Sequence, residues 1–120
     1  MSIEDSFCII TVKAEFLLYG EDRGGRSLPV SSGYNPNHKF DESSYYMGRI
    51  SFSDSDDHYP GEMNIVEIDF ISSAGLEERL QPGYSWSVTE GGNIVGEAKL
   101  TEILQKKSVV IDNENLVKVE

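Results

Sequence analysis

Two histidines, one cysteine and one cluster of carboxylates are the side chains in this sequence with the chemistry to act on a substrate or hold a metal. The cluster is Asp54-Ser-Asp-Asp-His58, three carboxylates and an imidazole within five residues. A calcium-binding loop would also need a glycine at its sixth position and a distal glutamate, and neither is present. A solvated acidic turn is the simpler reading. His38 and His58 each have the proton affinity of a general base. No serine or cysteine stands in a nucleophile motif such as Gly-x-Ser-x-Gly, and Cys8 lies in an apolar run where a thiol behaves as a small hydrophobe. Gly24-Gly-Arg26 and Gly91-Gly-Asn93 lack the Gly-Lys-Ser/Thr that completes a phosphate loop, and neither opens a helix. They read as turn glycines. No enzyme constellation, cofactor site or metal site is expected.

The chain that must position these residues has 120 residues, 38% of them apolar, which suits one domain with one core. Its 21 acidic and 10 basic residues leave a net charge of −11. Such a chain repels phosphate and attracts basic partners. A single cysteine excludes an internal disulfide framework and a multi-cysteine zinc site. The first residues, Met1-Ser-Ile-Glu-Asp-Ser6, lack a secretory signal, and no stretch approaches the ~20 apolar residues of a membrane helix. A soluble, cytoplasmic domain is the expectation.

The pattern is β almost throughout. Cys8 to Leu18 reads as a long strand, and Tyr19 to His38 as loop, with an irregular excursion from Gly24 to Phe40. Gly48 to Phe52 is a short alternating strand, and Ser53 to Gly61 a polar turn. Met63 to Ile71 alternates with one slip, suggesting a bulge with Ile65 inside. Tyr84, Trp86 and Val88 alternate with polar residues, Gly91-Gly92 makes a hairpin turn, and Ile94 to Ile103 returns. Val109 to Val119 adds a last strand, and only Ala74 to Leu80 looks briefly helical. The predicted core is Phe16, Ile65, Ile68, Phe70, Trp86, Val88, Val95 and Leu100. Close-spaced strands with Gly/Pro turns predict a small antiparallel barrel or sandwich.

Three stretches in order carry a resemblance. They are Ala14-Glu-Phe-Leu-Leu18 with Gly24-Gly-Arg-Ser-Leu-Pro-Val-Ser-Ser-Gly-Tyr-Asn-Pro-Asn-His-Lys-Phe40; Gly48-Arg-Ile50 with Pro60-Gly-Glu-Met-Asn-Ile-Val66; and Leu80-Gln-Pro-Gly-Tyr-Ser-Trp-Ser-Val-Thr-Glu-Gly-Gly-Asn-Ile-Val-Gly96. Together they resemble the C-terminal β-barrel domain of bacterial elongation factor Tu over roughly residues 10–104, with 105–120 as an extension. The resemblance implies a stand-alone six-stranded antiparallel barrel without the family's GTPase domain. In that family the barrel meets the backbone of aminoacyl-tRNA through basic and polar groups. Here Ser27, Asn35, Asp41 and Asn93 stand where the family carries basic residues, and Arg26 is kept. Losing four cations removes the main affinity term for phosphate, so nucleic-acid binding is disfavoured. The structural role open to Arg26 is to pair a loop carboxylate or backbone carbonyls.

The expected function is therefore a non-enzymatic, acidic protein-interaction module. Its partner is expected to be a basic protein, bound through Asp41, Glu42, Asp54, Asp56 and Asp57, with Arg26 as a further contributor. One concrete form is an immunity protein that neutralises a bacterial toxin. The alternative is a translation-associated domain that binds tRNA or a translation factor, as the fold's usual company implies.

Overall fold

The computed structural model describes residues 5–72, 76–112 and 115–119. Among the described residues, seven strands, one short α-helix and a 3-10 turn follow in chain order: β1 (Asp5–Leu18), the 3-10 turn (Glu21–Arg23), β2 (Asn37–Asp41), β3 (Ser44–Ser51), β4 (Met63–Ser72), α1 (Leu76–Arg79), β5 (Ser85–Glu90), β6 (Asn93–Asp112) and β7 (Asn115–Val119). Their order in the sheet is β1-β4-β3-β2-β5-β6-β7, and β1 also pairs with β6. That extra pairing closes six antiparallel strands into a barrel, and β7 hangs on the far end of β6 as a hairpin arm. Closure removes the open edges of the outer strands.

Period-2 alternation decides what faces inward. β1 sends Ile10, Val12, Ala14, Phe16 and Leu18 inside, and β4 sends Val66, Ile68 and Phe70. β5 contributes Trp86 and Val88, and β6 contributes Val95, Ala98 and Leu100. Expected core residues Phe16, Ile68, Phe70, Trp86, Val88, Val95 and Leu100 are all buried. Ile65 is not: it is 50% exposed, and Val66 takes the inward place. β4 pairs with β1 from Met63 to Ser72 without a register shift, so the expected bulge in β4 is absent. Single register shifts occur in β2–β3 and β5–β6 instead, and two bulges fall in the β1–β6 pairing, at Thr11/Val12 and Lys13/Ala14. They leave Leu104 and Thr101 as extra residues on β6, and the Thr101 hydroxyl donates to the Lys13 carbonyl at 2.9 Å. Such insertions increase bend and twist, and the 20-residue β6 serves first the barrel and then the arm.

The excursion after β1 ends sooner than Phe40, because Asn37–Asp41 forms β2 between β3 and β5. Its cue was hidden by His38, a polar residue in the inward position, which is fully buried. The Trp86 indole N–H donates to His38 Nδ1 at 2.8 Å. An indole only donates, so Nδ1 accepts, and the neutral ring carries its proton on Nε2, 3.0 Å from the Gly48 carbonyl oxygen. Gly48 is required there, since a Cβ would stand 2.7 Å from Nε2 and 2.8 Å from the Phe70 ring. Phe40 stacks on Trp86 at 5.1 Å, so this polar pair sits inside an aromatic cluster. α1 is four residues long, and Leu76 with nearby Leu80 plugs the barrel end beneath it. Ala74 and Gly75 lie outside the described residues.

Burial disfavours a charged His38 and lowers its pKa to about 4, from an ordinary 6.5. The folded pKa lies below the unfolded one, so the unfolded state binds more protons between these values. Stability is complete above about pH 6.5 and falls as the pH drops towards 4, by about 3 kcal/mol in all. Urea titrations at pH 7.5, 5.5 and 4.5 should show this loss, and it should shrink in His38→Gln. Trp86→Ala should cost about 3–5 kcal/mol, because it opens a cavity and strips the partner from Nδ1.

Candidate interaction surface

Strand directions fix which loops share an end. β1, β3 and β5 finish where β2, β4 and β6 begin, so the β1–β2 excursion, the β3–β4 loop and the Gly91-Gly92 hairpin converge at one end of the barrel. The hairpin glycines have φ of 54° and 89°, left-handed values that an L side chain adopts only with strain. The β2–β3 turn and α1 lie at the opposite end.

Arg26 is the centre of the loop end. Its Nη1 lies 2.6 Å from Glu90 Oε2, its Nε donates to the Leu28 carbonyl at 3.1 Å, and its Nη2 donates to the Pro29 carbonyl at 3.4 Å. The Tyr34 hydroxyl donates to the same Glu90 carboxylate oxygen. Burial and this bond to a carboxylate push the Tyr34 phenol up from its ordinary range, so it stays a donor. Glu90 ends β5, so the cluster pins the excursion to the hairpin. The sequence offered two roles for Arg26, and its bonds are those of the structural one. Beside it opens a cleft of about 320 Å³ lined by Gly24, Gly25, Ser27, Leu28, Asn93 and Val95, with Glu21 at its edge. Ser27 and Asn93, both uncharged, line this same cleft.

The acidic turn is organised from within. Asp54 Oδ1 lies 2.7 Å from His58 Nε2 and accepts the Asp56 backbone N–H at 3.0 Å. The bond to His58, then that to Asp56, hold the Asp54 carboxyl below its usual range. His58 stacks flat on Phe52, with centroids 4.0 Å apart and planes at 8°, and its backbone pairs both ways with Val30. Asp56 and Asp57 are exposed and join no ion pair among the described residues. Among the described residues no group of three metal-ligating side chains gathers, and His38 is sealed from any substrate.

Asp41 and Glu42 sit at the other end, in the β2–β3 turn. Asp41 accepts the Ser43 backbone N–H at 2.9 Å and pairs with Arg79 of α1 at 2.5 Å. These contacts, the Ser43 bond first, hold its carboxyl far below the usual range. Glu42 is nearly free, 3.4 Å from Lys39. The five carboxylates singled out in the sequence thus fall into two groups at opposite ends. No single flat partner surface gathers Asp41 and Glu42 with the 54–57 turn.

Sequence reasoning missed the outer face of β4. Met63, Ile65 and Ile71 are 57%, 50% and 63% exposed, although each belongs to an apolar run. The signal was present in Glu67 and Asp69, which share their parity and mark that face as wet. No protein-family model matches the chain. No helix among the described residues is long and apolar enough to cross a membrane.

Arg26→Ala removes three charge-assisted bonds from a half-buried guanidinium. After allowance for solvent screening it should lower stability by about 1–2 kcal/mol in urea titrations. An unchanged midpoint would show that these bonds do not hold the excursion.

Proposed function

We propose that the chain is a non-enzymatic protein-interaction module, a stand-alone acidic barrel resembling the last domain of elongation factor Tu, that binds a basic protein. The observation that carries this reading is the internal neutralisation of Arg26. The cation kept in the Gly-Gly-Arg loop is folded onto Glu90 and two carbonyls, so it is spent within the protein. The loops of that end otherwise present Glu21, Asp22, Asp54, Asp56, Asp57 and Glu62 against Arg23. Arg23 in turn lies over the Tyr19 ring at 3.9 Å. A surface so charged repels a phosphate backbone and speeds encounter with a cationic partner. The concrete form we favour is an immunity protein that neutralises a bacterial toxin, on the strength of its size, charge and resemblance. The same resemblance motivates a second reading, a translation-associated domain that binds tRNA.

Capture from a bacterial lysate at low salt, followed by elution with rising salt, separates the two. A basic protein released by salt is the expected result, and recovery of tRNA would overturn it. Asp56→Asn with Asp57→Asn is the clean charge probe, because neither side chain holds the turn. That pair should slow association and flatten its salt dependence while shifting stability by less than about 1 kcal/mol. Asp54→Asn should loosen the turn as well, because a neutral amide oxygen is a weaker acceptor for the His58 ring and the Asp56 backbone N–H.

A further inference from the structure

β3 leaves the barrel wall early. It pairs with β4 only from Gly48↔Phe70 to Ser51↔Glu67, whereas β1 pairs with β4 all the way to Met63. The cause is Phe52, which turns into the core and stacks on His58, and Ser32, whose hydroxyl accepts the Phe52 backbone N–H at 2.8 Å. The chain is drawn toward the β1–β2 excursion and away from β4. Between the parted strands lies a groove of about 340 Å³ lined by Lys13, Ser51, Phe52, Ser53, Ile65 and Glu67, with Val66 at its base.

Ile50 donates to the Tyr34 carbonyl at 2.7 Å and accepts from Gly33 at 2.9 Å, both on the side away from β4. Arg49 and Ser51 therefore bond towards β4, and Glu67 and Asp69 bond back. Continuing along β4, Ile65 and Met63 aim their N–H and C=O groups the same way, where β3 is absent. Among the described residues neither has a backbone partner on that side. The intervening Asn64 and Val66 face β1, opposite Phe16 and Ala14. Two donors and two acceptors thus lie along this edge, of which those of Ile65 border the groove, and the exposed Met63 and Ile65 side chains stand beside them on the outer face. An unpaired edge of this kind is a template for an added strand.

We infer that the free β4 edge at 63–66 receives an extended, lysine- or arginine-bearing segment of a partner protein as an added strand. This rests on the protein-binding reading above and gives it a surface. The backbone groups demand an extended segment, and the apolar pair with Val66 and Phe52 suits alternate aliphatic side chains. The surroundings set the charge: Glu62 and Glu67 flank the edge, Glu15 lies opposite Ile65, and Asp54, Asp56 and Asp57 belong to the loop that leaves it, against Lys13 alone. A second copy of this chain, itself at −11, is disfavoured there by repulsion.

The test is amide hydrogen exchange by NMR on the full chain, alone and with an acetylated, amidated (Lys-Val)4 peptide. In the free protein the Met63 and Ile65 amides should exchange fast while Asn64 and Val66 are protected. The peptide should slow Met63 and Ile65 by about tenfold or more. The effect should vanish with an alternately N-methylated peptide, with (Glu-Val)4, and in Met63→Lys/Ile65→Lys, whose exposed sites leave the thermal melt unchanged. Slow exchange of Met63 and Ile65 in the free protein, equal slowing by any control peptide, or slowing that grows with protein concentration alone would overturn the inference. Salt-sensitive capture of a basic protein without peptide protection would sink the edge alone. Peptide protection with tRNA as the captured species would sink the acidic-loop reading and leave the edge.

Discussion

β1 is bonded along both of its edges, to β4 over Cys8–Leu17 and to β6 over Asp5–Leu18, and this double pairing turns a row of six strands into a barrel. Its inward residues Ile10, Val12, Ala14, Phe16 and Leu18 then form the middle of the core, with fractional exposures from 0% to 2%. The pairing joins residues near opposite ends of the described chain, so forming it carries a high loop-closure cost. Once made, it fixes both ends. The bulges opposite Thr11–Ala14 bend β6 enough to continue past the barrel as the arm, and the end of β1 brings Tyr19 under the first loop, where Arg26 donates its backbone N–H to the Tyr19 carbonyl.

A barrel closed by β1 can tolerate a defect elsewhere, and the defect is between β3 and β4. Phe52 faces a choice between continuing the ladder and entering the core. Burial of a phenylalanine is worth roughly 2–3 kcal/mol, against about 1 kcal/mol net for a backbone bond, so the core wins. The stack on His58 and the Asp54 bond to the same imidazole then organise the acidic turn. One packing decision therefore creates both the carboxylate display and the open edge beside it.

The barrel was legible in the sequence because alternation and turn glycines are local signals. Trp86 and Val88 could be placed inside from their polar neighbours, and Gly91-Gly92 from its turn chemistry. Where tertiary contacts overrule local pattern, the reading failed. His38 looked like a loop histidine or a base, yet a tryptophan 48 residues away makes it a core residue. Ile65 looked like core, but its parity with Glu67 and Asp69 puts it outside. At the candidate surface, the role of Arg26 as a partner of carboxylate and carbonyls was foreseen in kind. Its actual partner Glu90, across the barrel mouth, is set by topology and has no local signature.

Ser27, Asn35, Asp41 and Asn93 do not sit in one kind of environment. Ser27 and Asn93 line the loop-end cleft, and Asn35 follows Tyr34 in the excursion, so they add no positive charge to an end that already holds Arg23 and the paired Arg26. Asp41 is at the opposite end and has acquired a structural partner in Arg79, which ties the β2–β3 turn to α1 over the Leu76 plug. A carboxylate so engaged is a poor rim charge, because a partner would have to compete with an existing guanidinium. Charge at the loop end is different in kind: among the described residues Asp56, Asp57 and Glu62 join no ion pair, and they lie on the chain that borders the β4 edge. The physical case for a protein partner is therefore strongest at the loop end, where acidic groups outside every ion pair of the described residues adjoin the β4 edge, while at the helix end Glu42 is exposed and Asp41 is already engaged by Arg79.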